Sequence, residues 1–443
     1  MGIVGKRPLL AIGSGGAGNA AWVIIGRLVS LLGRRLAATV VALWVVLVAT
    51  LGVVADAPAD STWTPLKPLP HQGRTAVFAL AVDPANNQAL LVGTSDGSLL
   101  RSTNGGTAWT QVRAGKTNVT TIAFSPFTSK LVLAGTRGGG ALASRDGGAT
   151  WAAAAGLEGR NVRAFAFALT LVAAGTDHGV YVSTDGLSWT PSGLSDRSIN
   201  ALAVEAIHAP VRLIAGSDLQ GAGGGLPLFQ SLDAGVSWTQ LSPPISGTIT
   251  VKLVAGPLPP TGNVRPLVVG TNTGLFASSD NGASFTPLSG GGLLPTTDYT
   301  QVSFITDHHD RFYAASDGGG SGSGGIWRTN DGGKTFASLQ SPEPAVTALA
   351  VSNDEQPTLY VATFHPSTHI PSLWVYHDTG GTPQGPPAKQ SPASSGARTA
   401  RSGDSNFLGE IFAAPQLPYI GLGLGALAVI LTAVVAHLRA RPR

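Results

Sequence analysis

The densest group of possible metal ligands in this chain is the run Asp307-His308-His309-Asp310. Carboxylates and imidazoles are ligands that zinc binds in proteins. Adjacent residues of an extended chain point to opposite sides, which disfavours binding of one ion by both histidines. The surrounding sequence places the run in a hairpin between two strands. We therefore expect a solvated turn, with a metal site as the alternative, and we predict neither a metal nor a cofactor.

A second chemical signature is Gly13-Ser14-Gly15-Gly16-Ala17-Gly18, which matches the glycine pattern of dinucleotide-binding loops. Such a loop requires an acidic residue about twenty positions later, within a strand-helix-strand unit. The first acidic residue here is Asp56, so we interpret the segment as part of a flexible tail. The chain has no cysteine, which excludes disulfides, thiol catalysis and thiolate metal sites.

Aspartate and asparagine recur in a third pattern: Ser or Thr, any residue, Asp or Asn, any residue, Gly, two residues, then Trp or Phe. The short side chains accept hydrogen bonds from backbone N–H groups of their own turn, glycine supplies a positive φ, and the aromatic ring is buried. A calcium loop is excluded, because each copy offers at most one carboxylate and calcium takes about six to eight oxygens. The pattern therefore predicts a structural hairpin corner.

We call these segments the corner motifs. The copies are Ser102, Asn104, Gly106 and Trp109; Ser144, Asp146, Gly148 and Trp151; Ser183, Asp185 and Trp189, one residue shorter; Ser231, Asp233, Gly235 and Trp238; Ser278, Asp280, Gly282 and Phe285; and Thr329, Asp331, Gly333 and Phe336.

The spacing of the corner motifs predicts the fold. Their first residues lie 42, 39, 48, 47 and 51 positions apart, and each unit contains four short apolar segments. Repeats of about 40–50 residues with four strands are typical of β-propellers. A seventh unit ends in Leu373–Tyr376 without an aromatic strand after it. Trp63-Thr64-Pro65-Leu66 matches the missing strand, so we predict an all-β, seven-bladed propeller whose last blade is closed by an N-terminal strand.

The corner motifs resemble the Asp-box (BNR) repeats of the sialidase-like propeller superfamily. That group includes sialidases, xyloglucan-degrading glycosidases, the sortilin ectodomain and a photosystem II assembly factor. The resemblance covers about residues 60–380 and implies the propeller fold. It discriminates poorly between functions, because enzymes and binding proteins share the repeat.

Two uncharged apolar runs flank the repeats, and each is long enough to span a bilayer as a helix. Lys and Arg precede the first run and follow the second, which predicts that both tails are cytoplasmic and the propeller extracytoplasmic. The predicted segments are a basic Gly-rich tail at 1–35, a transmembrane helix or signal-anchor at 36–55, the propeller at 60–380, a Pro/Gly/Ser-rich linker at 381–415, a transmembrane helix at 418–437 and a basic tail at 438–443.

The first apolar run has an alternative interpretation as a cleaved signal. Ala55-Asp56-Ala57 and Ala57-Pro58-Ala59 fit small-residue cleavage sites, and Arg34-Arg35 resembles a twin-arginine signal. The second apolar run predicts membrane attachment in either case.

Strands alternate in direction, so the turns between second and third strands share a face with the connections between blades. The corner motifs lie on the other face, and we expect function on the face opposite to them. Basic residues from blades one to four predict a one-sided patch for an acidic partner. The candidate binding residues are Asp96, Arg137, Asp177, His178, Asp218, Asp317 and His365 in the turns, and Arg74, Arg113, Lys116, Arg160, Arg163 and Arg197 in the connections. Three turns are enlarged: 218–227, 317–325 and 364–372.

The resemblance implies what a sialidase would require: three arginines, a Tyr–Glu pair and a Tyr/Phe-Arg-Ile-Pro segment. This chain lacks the segment, and its propeller tyrosines fall on predicted strands. We therefore predict no catalytic residue, and a membrane-anchored propeller that binds another protein or a membrane complex in an assembly or scaffolding role, with no nucleic-acid partner. The alternative is a surface glycosidase or glycan-binding module, with Asp96 and Asp317 as its carboxylate pair.

Overall fold

A computed structural model of the chain describes residues 62–70, 75–128, 130–206, 210–219, 225–241, 245–294, 296–319, 324–365, 367–368 and 370–380. Within these ranges the chain forms 28 strands and no helix. The strands assemble into seven antiparallel four-stranded sheets, which confirms the predicted seven-bladed all-β propeller.

Each of the first six blades is built from four consecutive strands, and the seventh combines both ends of the described chain. Blade one comprises β2 (Val77–Asp83), β3 (Asn86–Thr94), β4 (Leu99–Ser102) and β5 (Thr110–Arg113); blade two, β6 (Val119–Phe124), β7 (Val132–Thr136), β8 (Ala141–Ser144) and β9 (Ala152–Ala153); blade three, β10 (Val162–Phe167), β11 (Val172–Thr176), β12 (Gly179–Ser183) and β13 (Thr190–Gly193).

Blade four comprises β14 (Ile199–Ala206), β15 (Arg212–Ser217), β16 (Leu228–Ser231) and β17 (Thr239–Leu241); blade five, β18 (Thr250–Ala255), β19 (Leu267–Thr271), β20 (Gly274–Ser278) and β21 (Thr286–Pro287); blade six, β22 (Gln301–Ile305), β23 (His308–Ser316), β24 (Gly325–Thr329) and β25 (Ala337–Ser338); blade seven, β26 (Val346–Val351), β27 (Thr358–Phe364), β28 (Pro371–His377) and β1 (Trp63–Pro65).

The hydrophobic core lies between the blades. Seven apolar clusters are each filled from two adjacent blades, including the pair formed by blades seven and one. The second strand of a blade is covered on both faces, so β7, β11 and β19 are buried at every residue. Burial on both faces explains why these strands are continuous apolar runs.

Glycine in the second strands lets adjacent blades approach closely. A Cβ on Gly93 would lie 2.4 Å from Val119 Cγ1 in the next blade, and one on Gly270 would lie 2.3 Å from the Tyr299 carbonyl oxygen. Contacts under 3 Å require a shift of the neighbour, and at Gly270 that neighbour is backbone. The glycines thus fix how near each inner strand lies to the blade before it.

The inner strands of six blades share a β-bulge after their first residue. The register shifts by one position at this point, which leaves one residue without a ladder partner and redirects its side chain. The bulged residues are Phe78, Thr120, Arg163, Asn200, Val251 and Thr347. The alternation of apolar residues along these strands did not predict the bulges.

The predicted closing strand is confirmed. Trp63, Thr64 and Pro65 pair with Tyr376, Val375 and Trp374, so β1 forms the outer edge of blade seven. The Trp63 side chain is buried. The centroid of its ring lies 4.8 Å from that of the Tyr376 ring. Its Nε1 donates a hydrogen bond to the Leu339 carbonyl of blade six at 2.7 Å. The N-terminal strand therefore fastens blade seven and blade six together.

The seventh corner has the sequence Tyr376-His377-Asp378-Thr379-Gly380, in which a tyrosine stands at the serine position. Asp378 is fully buried and forms ion pairs with Arg311, at 3.1 Å, and with Arg328 of blade six. Its carboxylate also accepts the Tyr313 hydroxyl at 2.5 Å. This corner is thus held by an adjacent blade.

Candidate functional site

The two faces of the propeller differ in the turns they carry. The corner motifs meet the hairpins between first and second strands, as shown by hydrogen bonds from Gly105 N to Gln88 O (2.9 Å) and from Gly147 N to Lys130 O (3.0 Å). We call this the corner face. The turns between second and third strands meet the blade connections on the other side, which we call the turn face; Gly140 N, for example, donates to Arg160 O at 3.0 Å.

The corner motifs satisfy their own polar groups, as predicted. In each of the six, the Ser or Thr hydroxyl oxygen accepts the N–H of the motif glycine at 2.7–2.9 Å. In blade two, Asp146 Oδ1 accepts the Thr150 N–H at 2.9 Å, and its Oδ2 accepts the Thr150 hydroxyl at 2.5 Å. The carboxylate oxygens are thus occupied within the turn itself.

These local hydrogen bonds also change the acidity of the motif aspartates. The side-chain hydroxyl and backbone N–H four residues later hold the pKa of Asp146, Asp233 and Asp280 at about 2. Donors to a carboxylate favour its charged form. A carboxylate of this kind is a poor proton donor or acceptor near neutral pH, so the geometry gives the corner motifs a structural role.

Four of the predicted basic residues on the turn face carry free charges. The side chains of Arg113, Lys116, Arg137 and Arg160 make neither a hydrogen bond nor an ion pair with the residues that the structure describes. Lys116 and Arg137 are exposed, and Arg113 and Arg160 are partly exposed. We call Lys116, Arg137 and Arg160 the basic strip.

The backbone holds the basic strip in one continuous line across blades one to three. The Arg137 N–H donates to the carbonyl of Asn118, two residues after Lys116, at 2.9 Å, and Arg160 O accepts the Gly140 N–H. The backbone at Lys116 and Thr117 packs on the Gly97 turn of blade one, where an added Cβ would lie 2.6 Å from Thr117 O. Three cations therefore stand on adjoining turns.

Arg163 and Arg197, predicted for the same patch, have local partners. The Arg163 guanidinium donates to Ser198 Oγ and Asn200 Oδ1, and Asn200 Nδ2 in turn donates to Asp218 Oδ1. This chain joins Arg163 of blade three to Asp218 of blade four, two residues predicted separately. Their charges are used within the fold.

Arg197 is similarly occupied, since it pairs with Asp196 at 3.4 Å and lies 5.3 Å from the centre of the Phe229 ring.

The remaining turn residues mostly stabilise their own turns. Asp96 accepts the Thr94 hydroxyl at 2.5 Å and the Ser98 N–H at 3.0 Å. Burial raises its pKa, but these hydrogen bonds outweigh burial and lower it overall. Asp177 Oδ2 accepts Asn161 Nδ2 at 2.8 Å, next to an exposed His178. These bonds are those of ordinary hairpin turns.

His365 belongs to the same group. Its Nδ1 accepts the Thr368 N–H at 3.3 Å and lies 3.0 Å from Ser367 Oγ. The enlarged turn around it is shorter than predicted, because β27 extends to Phe364 and β28 begins at Pro371.

Asp317 has a partner that the sequence analysis did not identify. Burial, together with a hydrogen bond and like charge from Asp298, raises the pKa of Asp317 to about 6. Ser316 Oγ donates to Asp298 Oδ1 at 3.3 Å, and the Gly319 N–H donates to Asp317 Oδ1 at 2.9 Å. The structure thus gives Asp317 a carboxylate neighbour, Asp298, in addition to the Asp96 that the sequence analysis considered with it.

The run Asp307–Asp310 is only partly a turn. Ile305 pairs with His308, so Thr306 and Asp307 form the turn and the rest begins β23. Two-residue hairpin turns leave the flanking residues in the ladder, which explains the difference. No cluster of three metal-ligating side chains occurs among the described residues.

Several predictions fall on residues outside the described ranges. They are Arg74, the basic tails at 1–35 and 438–443, the apolar runs at 36–55 and 418–437, and the linker at 381–415. Within the described ranges there is no helix with the length and apolar character to span a membrane.

A central channel runs between the seven inner strands and was missed by the sequence analysis. Its volume is about 1120 Å³, and its charged lining residues are Arg163, Lys252, Arg265 and Asp307. Five of the six bulged residues, all except Thr347, line it. The available signal was Lys252, a lysine within an otherwise apolar inner strand.

No protein-family model matches the chain, and a search of curated proteins finds no match. Solved structures with similar folds include the RRP9 WD40 repeats, at 14% identity over 72% of this chain and 97% of that one, with a TM-score of 0.53. YCF48 from Cyanidioschyzon merolae is 15% identical over 72% of this chain and 100% of its own, with a TM-score of 0.47. At these identities, RRP9 supports the propeller fold alone.

An ancestral GH74 enzyme is 18% identical over 68% of this chain, with a TM-score of 0.44. The chain spans 55% of the length of that enzyme. The structural neighbours thus include both a glycosidase family and YCF48, which has also been solved bound to D1 peptide.

Proposed function

We propose that this protein is a non-catalytic binding module that docks an acidic protein partner on the turn face of its propeller. The observation that carries the proposal is the basic strip. Its three cations lie on adjoining turns and have no partners among the described residues. Charges without internal partners can attract a partner's acidic groups over several ångströms, which raises the association rate and fixes orientation.

The rigidity of the strip supports this proposal. The turns that carry it are bonded to the neighbouring connections through backbone hydrogen bonds, so little backbone ordering is needed when a partner binds. On the same face, Arg163 and Arg197 are occupied by local partners. The free charge is therefore concentrated on blades one to three and directs a partner to one side of the face.

The corner motifs and the flanking segments add to the proposal. We infer that the motifs are Asp-box repeats, since their hydrogen bonds are local and repeat from blade to blade. We also propose that the apolar runs at 36–55 and 418–437 anchor the chain in a membrane with both tails cytoplasmic. The propeller would then present its turn face to an extracytoplasmic protein or membrane complex.

A glycosidase receives less support from the geometry. Retaining enzymes place two carboxyl groups about 5 Å apart and inverting enzymes place them farther apart, with room for the reacting sugar. Asp298 and Asp317 contact each other directly, which leaves no room for a sugar between these two carboxyl groups. The tyrosines of the described residues, which are the candidates for a nucleophile, are all buried in the core: Tyr181, Tyr299, Tyr313, Tyr360 and Tyr376.

The test is charge reversal in the full-length chain. Lys116, Arg137 and Arg160 are changed together to Glu, and a matched control changes Lys130, Arg145 and Lys334, which are exposed on the corner face. Partners are captured by in-cell crosslinking and quantified by mass spectrometry. We expect the strip variant to lose at least tenfold of a specific acidic partner while the control retains it. Equal capture by the two variants would refute the proposal.

A further inference from the structure

The central channel is lined by a cation, Lys252, that pairs with no carboxylate among the described residues. Lys252 lies on the inner strand β18, directly after the bulged residue Val251, and is one of the residues that line the channel. It makes neither a hydrogen bond nor an ion pair with any residue that the structure describes. Burial lowers the pKa of Lys252, which reflects the loss of water around the ammonium group.

The propeller architecture does not require a lysine at this position. The residues that follow the bulge in the other five bulged blades are all small and uncharged. They are Ala79, Thr121, Ala164, Ala201 and Ala348. Five blades are thus built with alanine or threonine here, so packing does not explain the long cationic side chain of Lys252.

The charge of the channel favours anions. Three cations line it against one carboxylate, Asp307. Arg163 is occupied by Ser198 and Asn200, and Arg265 donates to the Gly256 carbonyl at 3.0 Å. Lys252 is therefore the cation of this lining that remains available to a ligand, within the part of the chain that the structure describes.

The neighbouring strand offers a further polar group. Lys252 pairs with Gly270, where an added Cβ would point towards blade six and lie 2.3 Å from Tyr299 O. Residues directly opposite one another in a ladder share a side of the sheet, so Lys252 faces β22. On that side, Thr300 lines the channel, and its buried hydroxyl has no hydrogen-bond partner among the described residues. An ammonium group and an unsatisfied hydroxyl together suit an oxyanion.

We propose that the central channel binds a small free anion, a carboxylate or a phosphate, with Lys252 as the charged ligand and Thr300 as a second donor. The channel has ample volume for a small metabolite, since small-molecule sites commonly occupy about 300–1,000 Å³. The site lies among the inner strands and not on the basic strip, so it is separate from the proposed docking of a protein.

The experiment measures binding of inorganic phosphate and of citrate to the full-length chain by calorimetry, at constant ionic strength. Saturable binding is expected for at least one anion. Lys252→Met should weaken it at least tenfold, Lys252→Arg should retain part of it, and Lys334→Met should leave it unchanged, because Lys334 is exposed on the corner face. Methionine keeps the length of the side chain without its charge.

A second measurement separates lost binding from lost folding. Without added anion, Lys252→Met should melt at the same temperature as the wild type or higher, since an unpaired, partly buried charge has been removed. Added anion should then raise the melting temperature of the wild type and not of the variant. The variant reversed in the basic strip should still bind the anion.

Two results would overturn the proposal: wild-type affinity in Lys252→Met, or no saturable binding of either anion to the wild type. If the anion site were instead filled by an acidic segment of a partner, the free anions would fail to bind while Lys252→Met lost partner capture.

Discussion

Six corners of this propeller are held by themselves, and the seventh is held by its neighbour. In the six corner motifs the aspartate or asparagine side chain bonds within its own turn, while the Ser or Thr hydroxyl binds the glycine N–H. In the seventh corner Tyr376 replaces that hydroxyl, and Asp378 reaches Arg311 and Arg328 in blade six. The same position in the repeat thus serves only its own turn in six blades, whereas in the seventh it accepts the Gly380 N–H of its turn at 2.9 Å and also contacts the adjacent blade.

The difference follows from the path of the chain. In six blades the chain continues from the corner into the fourth strand, so local hydrogen bonds are sufficient to align the two strands. In blade seven the fourth strand is β1, which arrives from the other end of the described chain. Buried ion pairs and aromatic packing replace the missing covalent connection. Substitutions in the two kinds of corner should therefore have unequal costs.

The largest effect is expected from Trp63→Ala. The substitution removes the Tyr376 contact, the hydrogen bond to Leu339 and most of the buried surface of the closing strand. Replacing a large aromatic core residue by alanine lowers the free energy of unfolding by about 3–5 kcal/mol. We expect a loss at the upper end of this range, measured by urea unfolding. Trp151→Ala, at the partly buried equivalent position of blade two, should cost less. Equal losses would contradict a special role for ring closure.

Asp378→Asn should have the next largest effect. It keeps the size of the side chain but leaves Arg311 and Arg328 without their counter-charge. Removing one partner of a buried ion pair costs about 3–5 kcal/mol, and the remaining amide should keep this loss near the lower end. Asp233→Asn, in the exposed corner of blade four, is the matched control. A comparable loss in the control would show that the seventh corner resembles the others.

Serine-to-alanine changes in the local corners should cost less. Ser144→Ala leaves the buried Gly148 N–H without its acceptor, for an expected loss of about 1–2 kcal/mol. Ser278→Ala in blade five should cost a similar amount. The two losses should add in the double variant, because distant sites are independent. Strong coupling between them would mean that the corners are not locally closed.

The smallest effects concern pH. The folded pKa of Asp146, Asp233 and Asp280 is about 2, below the unfolded value of 3.8, so their contribution is present above about pH 4 and is lost as pH falls towards 2. The folded pKa of Asp317 is about 6, which gives the opposite sign. Its contribution to stability declines as pH rises from about 4 to 6.

Urea midpoints measured between pH 2 and 7 test both effects. Asp317→Asn should abolish the loss of stability above about pH 4, and Asp233→Asn should reduce the loss of stability below about pH 4. If neither substitution changed the pH dependence of the urea midpoint, the assignment of these effects to Asp317 and Asp233 would be wrong.

The features that could be predicted from the sequence are those encoded by residues close together in the chain. Trp63-Thr64-Pro65 repeats the start of other outer strands, and this short pattern identified the closing strand. Asp378 could not be assigned, because Arg311 and Arg328 lie 67 and 50 residues away and no local pattern links them.

For the same reason Arg163 was predicted to carry a free charge. Its partners Ser198 and Asn200 follow 35 and 37 residues later, in the next blade. The bulges that shape the channel shift the register by one residue, and apolar patterns do not report such a shift.

The closing strand also has a mechanical consequence. Because β1 starts opposite the end of β28, both ends of the described ring leave from the same point, Trp63 facing Tyr376. Tension that pulls these ends apart would act on the β1–β28 pair from one end, so its backbone hydrogen bonds would break one after another and not all at once. Under stretching, the ring should therefore open first at blade seven, at low force, while the six other blades stay folded.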